Sequence, residues 1–221
     1  MSKASKAIDA TFEDIEVRRY TANILAVYAR TDHVLRAAGA AWYGAAHKDC
    51  AALARKYGLT VEQVAGAAAA ISPGMRWDLV LGYVERLIGR KGSTGKLGFA
   101  VPTYSKLFVD RARSCLRGKL APSDVLGGNK VRAFYALLCD SGNGYDVCVD
   151  GHAFNIAINA GRAPIRGENS KVPSLTDKRY RMLSDAYRAA AQSVGILPHQ
   201  MQAITWVQHR RPDQHSGDLP F

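Results

Sequence analysis

Apolar residues recur at helical spacing along almost all of the 221 residues, and nowhere do they alternate as a useful length of strand requires. A chain patterned this way buries its apolar surface by packing helix on helix. The expected fold class is all-α. Over 11–30, Phe12, Ile15, Val17, Ile24, Leu25 and Tyr28 mark one amphipathic helix. Asp32 caps a second stretch that reaches Tyr57, where Gly58 ends it. Thr60 with Gln63 forms a capping-box pattern for a helix over 60–71, broken by Ser72-Pro73-Gly74. Further helices are expected over 76–88, 103–117, 122–126, 129–139, 150–160, 175–194 and 198–210. The stretches 89–102 and 162–174 read as loops, 147–149 as a short extended piece, and 212–221 as a frayed tail.

Several classes of function are set aside on composition. Charged residues at 22% against hydrophobic residues at 48% suit a folded chain and not a disordered one. The longest apolar stretch, 61–71, carries Glu62 and Gln63 and is too short to span a bilayer. The first ten residues are polar and lack the apolar stretch of a signal peptide. The expectation is a cytoplasmic protein with no membrane partner. The cysteines Cys50, Cys115, Cys139 and Cys148 are scattered without a C-x-x-C pair. Neither a zinc site nor a disulfide framework is expected, and no cofactor.

The net charge is +11, and its distribution matters more than its size. Between residues 86 and 133 stand eleven basic residues (Arg86, Arg90, Lys91, Lys96, Lys106, Arg111, Arg113, Arg117, Lys119, Lys130, Arg132) against Asp110 and Asp124, a local net of +9. Such a concentration suits a polyanion, although an ordinary basic surface can look the same. The run leads into Leu126-Gly127-Gly128-Asn129-Lys130, a glycine turn between two helices. Glycines let backbone approach a phosphate, and the second helix offers unpaired N–H groups and the positive end of its dipole. Asn129 and Arg132 beside Lys130 fit the same grip, with Lys96 and the rest of the run around it.

About twenty residues after Lys130 comes Val149-Asp150-Gly151-His152, followed by Ile156-Ala157. Together the two segments resemble the helix-hairpin-helix superfamily of DNA base-excision glycosylases, the HhH-GPD fold. There a hairpin L-x-G-x-G-x-K precedes V-D-x-H-x-x-x-I-A by a similar distance. Leu126, Gly127, Gly128 and Lys130 match the first pattern, through a shorter turn than the usual G-x-G. Val149, Asp150, His152, Ile156 and Ala157 match the second. The run 68–73, ending in Ile71-Ser72, resembles the family's helix whose following loop probes the opened duplex. The likeness covers about 60–160. The stretch 195–207 is similar to phage-encoded proteins of the same superfamily.

The resemblance implies a two-lobed helical fold with a cleft between the lobes. Residues 60–160 would form the core, with the hairpin at 122–139 and the catalytic segment at 147–160. Residues 1–59 and 175–210 would form the second lobe of a single globular unit, expected to act as a monomer on double-stranded DNA. Asp150 matches the catalytic aspartate, whose carboxylate would stabilise positive charge on the deoxyribose or orient a nucleophile. An aspartate before a helix can equally be an N-cap alone. Lys130 matches the lysine that attacks C1′ in lyase-type members, for which the amine must be uncharged; the other reading is a phosphate contact. His152 matches a position that is more structural than catalytic. Ser72, Arg76 and Trp77 fall where the family inserts a wedge into the base stack, with Trp77 a core residue in the other reading. Gln202 and Trp206, four apart on one helix face, either line a base pocket or pack in the core.

These residues imply an enzyme that flips a base, modified bases included, and cleaves its N-glycosidic bond, with an added lyase step if Lys130 takes part. One alternative is a phage enzyme that hypermodifies DNA, transferring an amine or amino acid to an activated 5-hydroxymethyluracil. Another is a non-catalytic DNA-binding module.

Overall fold

The structure is a computed structural model that describes residues 3–90, 100–102, 105–159 and 175–210. Residues 91–99 of the expected loop over 89–102, the expected loop at 162–174, the tail at 212–221 and the basic residues Lys91 and Lys96 lie outside the described residues. The helices run α1 (Lys3–Ala29), α2 (His33–Tyr57), α3 (Val61–Ile71), α4 (Trp77–Ile88), α5 (Lys106–Arg117), α6 (Pro122–Val125), α7 (Asn129–Cys139), α8 (Gly151–Ile158), α9 (Asp177–Ser193) and α10 (Pro198–Arg210). No strand occurs among the described residues, so the fold class is all-α.

Local chemistry sets most of the boundaries. Asp32 Oδ1 accepts from Leu35 N at 2.9 Å and opens α2. At α3 the capping box closes in both directions: Thr60 Oγ1 accepts from Gln63 N at 3.2 Å, and Gln63 Oε1 accepts from Thr60 N at 3.0 Å. A cap of this kind stabilises a helix by about 1 kcal/mol. Two starts shift from the expected positions because a hydroxyl chooses them. Ser105 opens α5 by accepting from Leu107 N, and Thr176 opens α9 by accepting from Arg179 N. Helix α1 begins at Lys3 and not near 11. Its first turns, Lys-Ala-Ser-Lys-Ala, are good helix formers without an apolar period, so propensity extends a helix that periodicity does not mark.

The chain divides into two compact units, Met1–Trp42 with Gly144–Pro220, and Tyr43–Asn143. The second unit is built around α3, in which every residue from Val64 to Ile71 is buried. A helix apolar on all sides must be enclosed, and α4, α5, α6 and α7 pack around this one. Gly66 permits the close approach: a Cβ there would stand 2.7 Å from Pro122 Cβ and 3.1 Å from Cys115 Sγ.

In the first unit α1 packs on α8, α9 and α10. Its core joins Ile24 of α1, Phe154 of α8, Tyr187 of α9 and Met201 of α10. Gly39, in the first part of α2, lies against the backbone of α10, where a Cβ would come 2.5 Å from Ile204 Cα. The segment 147–158 therefore groups with the terminal helices and not with the hairpin, unlike the expected core of 60–160. The reason is burial: Ala153, Phe154, Ile156 and Ala157 face a cluster supplied by segments far away in sequence. Among the described residues no helix is long and apolar enough to cross a membrane.

Candidate functional site

The first unit positions Asp150 by holding the chain on both sides of it. Val147 and Val149 are buried, at 1% and 2% exposure, and lie outside any helix, so beyond the single bond from Val149 N to Val147 O at 3.0 Å their backbone polar groups need partners. Tyr180 of α9 meets this need. Its hydroxyl donates to Val147 O at 2.8 Å and accepts from Val149 N at 3.2 Å. Burial pushes the Tyr180 phenol up, so it remains a neutral donor. On the far side, Tyr187 Oη donates to Ala153 O at 3.1 Å, and Asn23 Nδ2 donates to Ala157 O at 2.7 Å.

Asp150 itself is the N-cap of α8. Its Oδ1 accepts from Ala153 N at 2.8 Å, and its Oδ2 accepts from Trp206 Nε1 at 3.1 Å. The carboxylate is half-buried. His152 stands edge-on to Trp206 at 5.9 Å between ring centroids, and edge-on to His209 at 5.6 Å. The Arg210 guanidinium lies over the Trp206 ring, 4.8 Å from its centroid. Three of the expected site residues, Asp150, His152 and Trp206, are thus neighbours. Gln202, one turn before Trp206, is buried at 5% exposure inside the unit. A partly buried carboxylate fixed by two N–H donors is a preformed negative charge, able to stabilise a cation developing beside it.

The second unit carries the hairpin. Helix α6 ends at Val125 with Leu126 as its C-cap, and α7 begins after Gly128, whose φ of 83° is a glycine conformation. No side chain caps α7 at that position. Arg132 Nε donates to Leu126 O at 2.9 Å and so braces the turn from within. The Arg111 guanidinium of α5 lies against Gly127, where a Cβ would come 2.9 Å from Nη2. Asn129 and Lys130 are the first two residues of α7 and are half-buried. Arg86, Arg90, Lys106, Arg117 and Lys119 are exposed in the same unit, whereas Arg113 is buried at 9% exposure.

At the end of α3, Ser72 Oγ donates to Ala69 O at 3.1 Å. Arg76 is exposed and forms a paired contact with Asp78, at 3.1 and 2.9 Å. Trp77 is half-buried and packs edge-on against Phe134 at 5.9 Å, the geometry of a packed aromatic pair. Asp150 belongs to the first unit and Lys130 to the second.

Lys96, a further expected DNA contact, lies outside the described residues. Burial pushes the Cys50 thiol up to about 12 and those of Cys115 and Cys139 to about 11, which leaves them protonated at neutral pH. Among the described residues no group of three or more His, Cys, Asp or Glu is placed to hold a metal ion.

Four residues at these places escaped the sequence reading of the site. Tyr180 shares a helix face with Tyr187, seven residues on, and that spacing is a visible signal. Arg111 sits inside the basic run without any mark that singles it out. His209 and Arg210 follow Trp206 on α10 and carry no signal of their own.

A sequence profile described as "Family of unknown function (DUF7178)" matches residues 6–213. No curated protein and no solved structure matches the chain.

Proposed function

For this chain, which belongs to the DUF7178 family of unknown function, we propose the activity of a DNA N-glycosylase with a helix-hairpin-helix arrangement. The observation that carries the reading is Asp150. It is a half-buried carboxylate at a helix N-terminus, held on both oxygens and set within Val-Asp-Gly-His. An N-cap needs only one of those bonds, so capping alone leaves the second unexplained. A flipped nucleotide would bring its deoxyribose to this carboxylate, which would stabilise the positive charge that develops as the glycosidic bond breaks.

The hairpin of the second unit would take the phosphate backbone, with the N-terminus of α7, Lys130 and the exposed basic residues sharing the contact. Phosphate contacts position a duplex without reading its sequence. Lys130 serves as such a contact in this reading, and as the lyase nucleophile if a covalent sugar adduct forms. The working partner is double-stranded DNA, hypermodified DNA included, in the cytoplasm.

The test is a duplex panel carrying ordinary, damaged and hypermodified bases, read by mass spectrometry for released base and for altered nucleosides. Release of a free base with an abasic product supports the proposal. A new nucleoside with no abasic site replaces it with base modification, and unaltered DNA throughout leaves a binding module. Borohydride trapping reports on Lys130: a trapped adduct in the wild type that is lost in Lys130→Ala establishes the lyase step. In a binding titration, Lys130→Ala should make the log–log dependence of affinity on salt shallower by about one unit.

A further inference from the structure

A carboxylate held at one oxygen can still turn about its Cβ–Cγ bond. Asp150 is bonded at both oxygens by groups from different elements, Ala153 N of α8 and Trp206 Nε1 of α10. The indole N–H is the only hydrogen-bond donor of its side chain and cannot accept, so the bond has one direction. It is also charge-assisted, because the acceptor is a carboxylate. The indole is held in turn by the His152 ring, packed against it at an interplanar angle of 77°, and by Arg210 over its face. Its helix neighbours Thr205 and Val207 are fully buried, and Gly39 lets the backbone of α10 seat directly on α2.

We propose that Trp206 is a positioning residue that sets the plane of the Asp150 carboxylate. This role rests on the glycosylase reading of Asp150 and departs from a stacking role for the indole. Trp206 acts through the aspartate and need not touch the base. Because the two residues are 56 apart in sequence, α10 is part of the reaction's orientation and not only of the core. A carboxylate free to turn would spend most encounters with its charge misplaced, and misplacement by about 1 Å costs on the order of a hundredfold in rate.

Two variants remove the N–H while keeping a ring: Trp206→Phe, and replacement of Trp206 by β-(3-benzothienyl)alanine, which preserves the bicyclic shape if phenylalanine disturbs folding. In single-turnover and steady-state base release, kcat should fall about ten- to a hundredfold while KM for DNA stays within about twofold. Asp150→Asn is assayed beside them. Wild-type kcat in the benzothienyl variant, with Asp150→Asn inactive, overturns the positioning role and leaves the glycosylase reading standing. Wild-type base release by Asp150→Asn overturns that reading and this role with it. A readout without reaction uses the ¹⁵N-labelled protein. The indole N–H signal that disappears in Trp206→Phe should move upfield in Asp150→Ala, and a signal that does not move overturns the proposal.

Discussion

Helices α7 and α8 begin in opposite ways, and each beginning suits a different source of negative charge. Helix α8 opens on Asp150, whose own carboxylate accepts the Ala153 N–H and meets the positive end of the dipole. Helix α7 opens on Gly128, which has no side chain to offer and so makes no side-chain cap bond. Around α8 stand tyrosine, tryptophan and histidine rings; at the start of α7 stand Arg111, Arg132 and Lys130. One N-terminus is filled by a charge the chain carries, and in the proposed reading the other receives a charge from outside.

The largest expected effect separates what Asp150 does for α8 from what it does for a substrate. Asparagine caps a helix about as well as aspartate, whereas alanine loses about 1 kcal/mol. Asp150→Asn should therefore keep the cap through its amide oxygen, lose about 1–3 kcal/mol because its amide NH2 then faces the Trp206 indole N–H, and lose about a hundredfold or more in base release. Asp150→Ala should lose both the cap and the activity. Equal activity in Asp150→Asn and the wild type would reduce α8 to an ordinary capped helix and remove the contrast.

On the α7 side, Gly128→Ala meets no steric neighbour, since nothing lies within 4 Å of the added Cβ. Its cost is that of holding a Cβ-bearing residue at φ 83°, about 1–3 kcal/mol, read as a fall in Tm with weaker DNA binding. A smaller and more telling change is Asn129→Asp, which gives α7 the acidic first turn that it lacks. Stability should rise by about 0.3–1 kcal/mol through the dipole. DNA affinity should drop several-fold, because the new carboxylate occupies the place of a phosphate. Stability and affinity moving the same way would show that α7 does not receive an external anion.

Elements governed by local chemistry could be read from the sequence. The bounds of α7 and α10, the capping box of α3 and the glycine turn all depend on residues within a few positions of one another. The extent of α1 could not, because its first turns rest on propensity without an apolar stripe. The site was legible as a motif and not as a constellation. Val-Asp-Gly-His marks Asp150, but nothing near it announces Trp206 as its hydrogen-bond partner. The affinity of α8 for α1, α9 and α10 is equally hidden. Its apolar face would suit any core, and only the packed structure selects one. Trp77 illustrates the converse, a residue at a suggestive position whose observed contact is Phe134.

The first unit is made from two stretches of chain with the whole of the second unit between them. During synthesis the hairpin unit is complete long before α10 has left the ribosome, and units tend to fold as they emerge. At that stage Asp150 can begin to cap a nascent α8, but its indole partner does not yet exist. A chain cut short before 198 would keep the glycine turn, the basic surface and the aspartate, and would lack the helix that aims it. In the proposed reading, the order of translation thus completes the phosphate-binding unit first and delays the carboxylate site until the last described helix is in place.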